Sequence, residues 1–306
     1  MNRRRLIQSA GTAALGLGLS QFPQGWAQAA DAPKRRILLF TKSSGFEHPA
    51  IKPVNGGPSL VEKTLTELGA QHNFEITHTK DGGVFTPSNI AKYDAFFFYT
   101  TGDLTTPGTD KNPPMSPEGK AAFLDAIKNG KGYIGTHSAS DTFHTAPDPA
   151  DRSNRYLAHG EASDPYIRML GGEFIKHGAQ QSSRMVVIDP RFPGFSMAGE
   201  GFDMKEEWYS LKDFSPDLHV LLVQDTKGMT GPDYQRGPYP ATWARAHGKG
   251  RVFYTSMGHR DDVWASPIFQ SILLGGIAWA TGNVKADVTP NLAKVCPTHA
   301  EIPPKA

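Results

Sequence analysis

An α/β fold with a mostly parallel central sheet and an antiparallel extension is what the sequence predicts, from three observations. Apolar strand-like runs alternate with helical patterns through the first half of the chain, the signature of crossover units in a doubly wound sheet. The run YDAFFFYT at 93–100 is continuously apolar and aromatic, as a strand covered on both faces must be. The second half strings four more strand-like runs together with turns between them, then closes on an apolar-faced helix, SPIFQSILLGGIAWATG.

Taken in order, RRILLFT at 35–41 reads as the first strand and ends in the loop KSSGFEHPAIKPVNGGP. The pattern SLVEKTLTELG follows as a helix, and HNFEITHT as the second strand. YDAFFFYT is the third strand. SPEGKAAFLDAIKNG carries its own helix punctuation, with Ser116 before Pro117 at the start and Gly130 after the last turn. KGYIGT is the fourth strand; SRMVVID, HVLLVQD, YPATWARAH and GRVFYTS supply the irregular second half. LAHGEASDPYIRMLGGEFIKH, with His159 and His177, reads as a helix and strand covering a site, with His177 assigned to structure.

The 306 residues, 38% hydrophobic and 10% aromatic, suffice for one large core. No internal repeat is visible, so the expected organisation is one domain over 34–284 with a Pro-rich tail over 285–306. Residues 1–29 have the layout of a signal peptide: three arginines, an apolar stretch from Leu6 to Leu19, and an Ala-Gln-Ala cleavage site. The arginines followed by Leu6 and Ile7 resemble a twin-arginine signal, so a periplasmic or secreted location is expected. The apolar run is too short and glycine-rich for a stable membrane anchor. Without this segment, 29 Lys and Arg stand against 30 Asp and Glu, a net charge of −1 that points away from nucleic acid. The single Cys296 lies in the tail, which excludes an intramolecular disulfide and lacks the setting that activates a thiol.

Open α/β sheets bind ligands beyond the carboxyl ends of their strands. There this chain collects polar residues: Glu47 and His48 after the first strand, Thr101, Gly102 and Asp103 after the third, His137, Ser138 and Asp141 after the fourth, and His259 after the run RVFYTS. The fourth strand ends in Gly135-Thr136-His137-Ser138-Ala139, where a strand-to-helix elbow would display its central side chain. Histidine there removes thioester chemistry of the glutaminase kind and suits acid/base work or metal ligation. His137 and His259 are the acid/base candidates, with Glu207 and Asp141 as orienting or ligating groups. A divalent metal stays an open alternative, with His48, His259, Glu207, Asp141 and His144 available, because no HExxH or CxxC spacing fixes a ligand set. GFDMKEEWYSL places Glu206 and Glu207 beside Trp208 and Tyr209, a mixture suited to a sugar site; Trp208 is expected as a stacking wall, and Trp243 on a hairpin leading back to the rim.

GFEHPAI, GTHSASDTF, YIRMLGGEFIKH, EEWYSL, PATWARAHGKGRVFYTSMGH and GGIAWATG, over roughly 36–282, resemble in order and spacing the ThuA-like, or trehalose-utilisation, family. The resemblance implies a flavodoxin-like three-layer sandwich of the class I glutamine amidotransferase type with its catalytic cysteine replaced. It also implies a role in carbohydrate catabolism beside enzymes that make 3-keto-glycosides. His48, His137, Asp141, Glu207 and His259 fall in the family's motifs, although EEWY stands where many relatives have an Asp-Glu pair. The expected partner is a small-molecule carbohydrate, with a second copy of the chain also open. A sugar-binding protein without catalysis and a metal-dependent hydrolase are the alternatives to acid/base action on a glycoside or 3-keto-glycoside.

Overall fold

The computed structural model describes residues 33–148 and 152–305; the signal peptide expected over residues 1–29 lies outside them. Eleven strands are described: β1 (Arg35–Phe40), β2 (Phe74–Thr79), β3 (Ala95–Phe98), β4 (Gly132–Thr136), β5 (Glu173–His177), β6 (Gln181–Val187), β7 (Gly201–Glu206), β8 (Tyr209–Lys212), β9 (His219–Asp225), β10 (Tyr239–His247) and β11 (Gly250–Thr255). Nine form one sheet in the order β2-β1-β3-β4-β11-β10-β9-β6-β7, and β5 pairs with β8 in a second, two-stranded sheet. The first five run parallel, in the flavodoxin-like order, and the remaining four are antiparallel.

Alternation along the central strands builds the two cores. Ile37 and Leu39 of β1, with Ala95 and Phe97 of β3, face one apolar cluster; Leu38, Phe40, Phe96 and Phe98 face the other. The first cluster takes Val61, Leu65 and Leu68 of the helix Leu60–Gln71 and the apolar residues of the helix Pro267–Ala280. The second takes Phe123 and Ile127 of the helix Pro117–Lys128 and the helix Pro165–Leu170. The result is a three-layer α/β/α sandwich. Its helix starts were readable: Ser59 and Ser116 each cap their helix by accepting a backbone N–H, at 3.2 and 3.0 Å.

Three expectations change. The run GFDMKEEWYSL contains two strands, β7 and β8, divided at Glu207 and Trp208, a break between the two sheets that local propensity did not reveal. The elbow after β4 leads into a 3-10 turn, His137–Asp141, and among the described residues the next α-helix starts at Pro165. The Pro-rich tail docks on the sheet: Leu292 and Cys296 are buried in the second core, and the Asn291 side chain bridges the backbone N–H and carbonyl of Val220, at 2.7 and 3.1 Å. No helix among the described residues is long and apolar enough to cross a membrane.

Candidate functional site

His48 follows β1, His137 follows β4 and His259 follows β11, so three loops at the carboxyl ends of parallel strands bring the three imidazoles together. Glu207 reaches them from the β7–β8 turn of the extension. Each of the four offers one donor atom, and all four atoms lie within 4.8 Å of one another. Glu207 Oε2 is 3.0 Å from His259 Nδ1 and 3.5 Å from His137 Nε2, and the two histidine nitrogens are 3.2 Å apart.

Tautomers follow from the partners. His137 Nδ1 donates to the Ser256 carbonyl at 3.0 Å, so neutral His137 presents a lone pair at Nε2. His48 Nδ1 is buried with no hydrogen-bond partner, and burial, with His137 and His259 nearby, holds its pKa well below the ordinary imidazole value. Burial would raise Glu207, but the neighbouring His137 and His259 imidazoles hold it far below the usual carboxylate range. Burial would lower His259, but Glu207 raises it. Acceptor atoms therefore converge around one point, and either shared protons or a cation must reconcile them. Around a divalent ion with bonds of about 2.0–2.2 Å, tetrahedral donors sit roughly 3.3–3.5 Å apart, close to the three spacings among His137, Glu207 and His259. A ring N–H fixed on a backbone carbonyl, as in His137, is the usual support of a metal-binding histidine.

The supports beneath are buried. Glu206, fully buried, accepts the Glu207 N–H at 2.9 Å and the Gly258 N–H at 3.0 Å, tying the turn before β8 to the loop that carries His259. Gly258 has φ 121°, and a side chain there would meet Thr136 Oγ1 at 2.8 Å. His137 itself has φ 46°, an uncommon conformation for a side chain of its size and the strain typical of functional turns.

A cleft of about 1020 Å³ opens over this group, with His48, Glu207 and His259 in its wall. The placement of the other sequence candidates is mixed. Asp141, Gly102 and Tyr209 line the cleft. His137 is not displayed at the tip; it is fully buried just beneath, its ring 4.2 Å from that of Tyr209. Trp208 is not a stacking wall: it is buried in the first core, and its indole N–H donates to the Gln181 carbonyl. Trp243, on β10, is likewise buried in the second core, donating to the Leu170 carbonyl. Thr101 is buried and donates to the Phe46 carbonyl, Ser138 is buried, and Glu47 pairs with Lys80 at 3.1 Å; none of the three lines the cleft. Among the cleft residues that the sequence did not single out are His177, Phe46, Arg155 and Asp148. His177, assigned to structure, has Nδ1 3.5 Å from Glu207 Oε1. Phe46 is 63% exposed at the rim, and only its place in the first loop could have marked it.

The profile of the ThuA family, described as trehalose utilisation, matches residues 36–280. The chain belongs to the ThuA family. No curated protein matches it. Among solved structures, a ThuA-like protein from Bacteroides uniformis superposes with a TM-score of 0.61 at 18% identity, covering 83% of this chain and 94% of its own. A ThuA-like protein from Parabacteroides merdae gives 0.54 at 19% identity, over 84% and 92%. At these identities the likeness supports the shared fold of the ThuA proteins, and the sequence motifs and the matched profile carry the family assignment.

Proposed function

We propose that this ThuA protein is an exported, metal-dependent enzyme that hydrolyses or eliminates a glycosidic bond in a glycoside or 3-keto-glycoside. The observation that carries this reading is the convergence of His48, His137, Glu207 and His259 donor atoms beneath an open cleft. Three imidazoles and one carboxylate suit Zn²⁺, Mn²⁺ or Fe²⁺. Such an ion, when bound, would polarise a substrate oxygen or activate a water.

The side chains divide the remaining work. His137, buried and tied to Ser256, serves as a ligand, so the proton-handling role expected of it passes to groups that face the cleft. His177, 41% exposed and next to Glu207, is placed to give a proton to or take one from a bound sugar, and Asp141 to accept a hydroxyl. Phe46 offers an apolar face at the rim, as sugar rings require. Glutaminase chemistry has no nucleophile: the single cysteine, Cys296, is buried in the tail with its thiol pushed up to about 12.

The test uses the mature chain purified without chelator. About one divalent ion per chain is expected, together with cleavage of trehalose or 3-ketotrehalose that stops with chelator and returns with added Zn²⁺ or Mn²⁺. Full turnover by metal-free protein would overturn the metal; intact sugar after prolonged incubation with the loaded protein would leave a binding protein only.

A further inference from the structure

A ladder of alternating charges runs from the interior to the cleft wall. Lys212, 1% exposed, has Nζ 3.4 Å from Glu173 Oε2. Glu173, also 1% exposed, takes the Thr145 N–H and hydroxyl at 3.0 and 3.1 Å and faces His144 Nδ1 at 3.0 Å. The opposite nitrogen of the same ring, Nε2, is 2.5 Å from Asp141 Oδ1, which also receives Arg155 at 3.0 Å. Arg155 continues to both oxygens of Asp148 at 3.1 and 2.8 Å. Asp141, His144, Arg155 and Asp148 line the cleft; Glu173 and Lys212 stand behind them.

Burying so many charges is costly, and well-packed apolar residues would usually serve stability as well. The ladder's outer end indicates what the arrangement serves. Asp141 closes the 3-10 turn that His137 opens, and its backbone carbonyl is held by the Gly102 N–H at 2.7 Å. Because each ring nitrogen of His144 faces a carboxylate oxygen, both must donate, and the ring is an imidazolium. We propose that Glu173, acting through His144, is a positioning residue that holds the Asp141 carboxylate fixed on the cleft wall as the acceptor for a hydroxyl of the bound sugar. This rests on the reading that the cleft takes a sugar.

The groups facing His144 agree. Asp141 and Glu173 flank it, Arg155 and Asp148 lie beyond Asp141, and Lys212 and His159 lie behind Glu173. Burial opposes the charge on His144, but the two carboxylates outweigh it and raise its pKa. Burial would raise Glu173, yet His144 and Lys212 lower it to about 2.

Imidazole ¹⁵N NMR of the full mature chain reads the ladder without any substrate. Both His144 nitrogens should be protonated at pH 7 and become one donor and one acceptor at that pH in Glu173→Gln. With 3-ketotrehalose as substrate, Glu173→Gln should raise KM about 10-fold with kcat within about 3-fold, and Glu173→Asp should recover most of the loss. Asp141→Asn, at the partly exposed end, should raise KM at least as much and covers the case in which Glu173→Gln does not fold. A neutral His144 at pH 7 in the unaltered chain, or an unchanged KM in folded Asp141→Asn, would overturn the proposal. Because the NMR result needs no turnover, failure of the sugar reading is told apart from failure of the ladder.

Discussion

Two groups of histidines and carboxylates in this ThuA protein are built to opposite ends. His159, Glu173 and Asp213 gather around a cation of the chain's own: Lys212 Nζ lies 2.9 Å from His159, 3.4 Å from Glu173 and 3.6 Å from Asp213, and donates to the Leu157 carbonyl at 2.6 Å. His48, His137, Glu207 and His259 have no such occupant. Among the described residues Glu207 pairs only with histidines, and His48 Nδ1 has no partner. The first group is internally satisfied and serves as structure; the second leaves acceptors unmatched at the floor of a cleft. Residue type alone does not separate a structural cluster from a functional one. Whether the protein supplies the counter-charge does.

The sharpest way to break this contrast is to empty the satisfied group. Lys212→Met should destabilise the chain by about 3–5 kcal/mol, because Glu173 and Asp213 would be left buried without their cation. Zn²⁺ should then stabilise the variant at the vacated position, measured by thermal unfolding at matched occupancy of the first site. A variant as stable as the parent would end the view of Lys212 as the resident cation.

Next in size is the pH dependence of Glu173. Its pKa is lowered from 4.5 to about 2, so its contribution is complete above about pH 4.5 and disappears as pH falls toward 2, on the order of 3 kcal/mol. His144 has the opposite sign: its pKa is raised, so its contribution is complete below the ordinary value of 6.5 and is lost as pH rises through the raised pKa. The stability gap between the parent and Glu173→Gln should therefore peak between about pH 4.5 and 6.5. Urea midpoints across pH 2.5–9 would show this, and a gap independent of pH would contradict it.

The smallest effect concerns the open group. Glu206→Gln keeps an acceptor for the Glu207 and Gly258 N–H groups only in part, so divalent-metal affinity should fall about 10–100-fold with little change in unfolding temperature of the metal-free chain. Competition with a chromogenic chelator measures it. Unaltered affinity would make Glu206 a packing residue.

Much of the fold was legible because local rules and tertiary demands agree along β1, β3 and the two serine-capped helices. The sheet extension was less so. β7 and β8 are parted only by Glu207 and Trp208, where the chain passes from the nine-stranded sheet to the two-stranded one, and nothing in GFDMKEEWYSL announces that change of partner. The rim rule placed His48, His137 and His259 at the ends of parallel strands. It did not show that His137 would lie under the floor, or that Trp208 and Trp243 would turn inward; an aromatic residue beside a polar motif looks the same whether it faces a ligand or a core.

By itself, then, the sequence determined the family, the parallel half of the sheet and the loops on which the three histidines ride, because these depend on short-range pattern and on a fixed order of strands. Only the tertiary structure decided that Glu207 joins those histidines from the antiparallel extension and that Lys212 fills the other cluster. It also decided that His144 links Glu173 to the cleft. Each of these depends on which atoms meet across long stretches of chain, and charge balance at a buried point is a property of that meeting rather than of any segment.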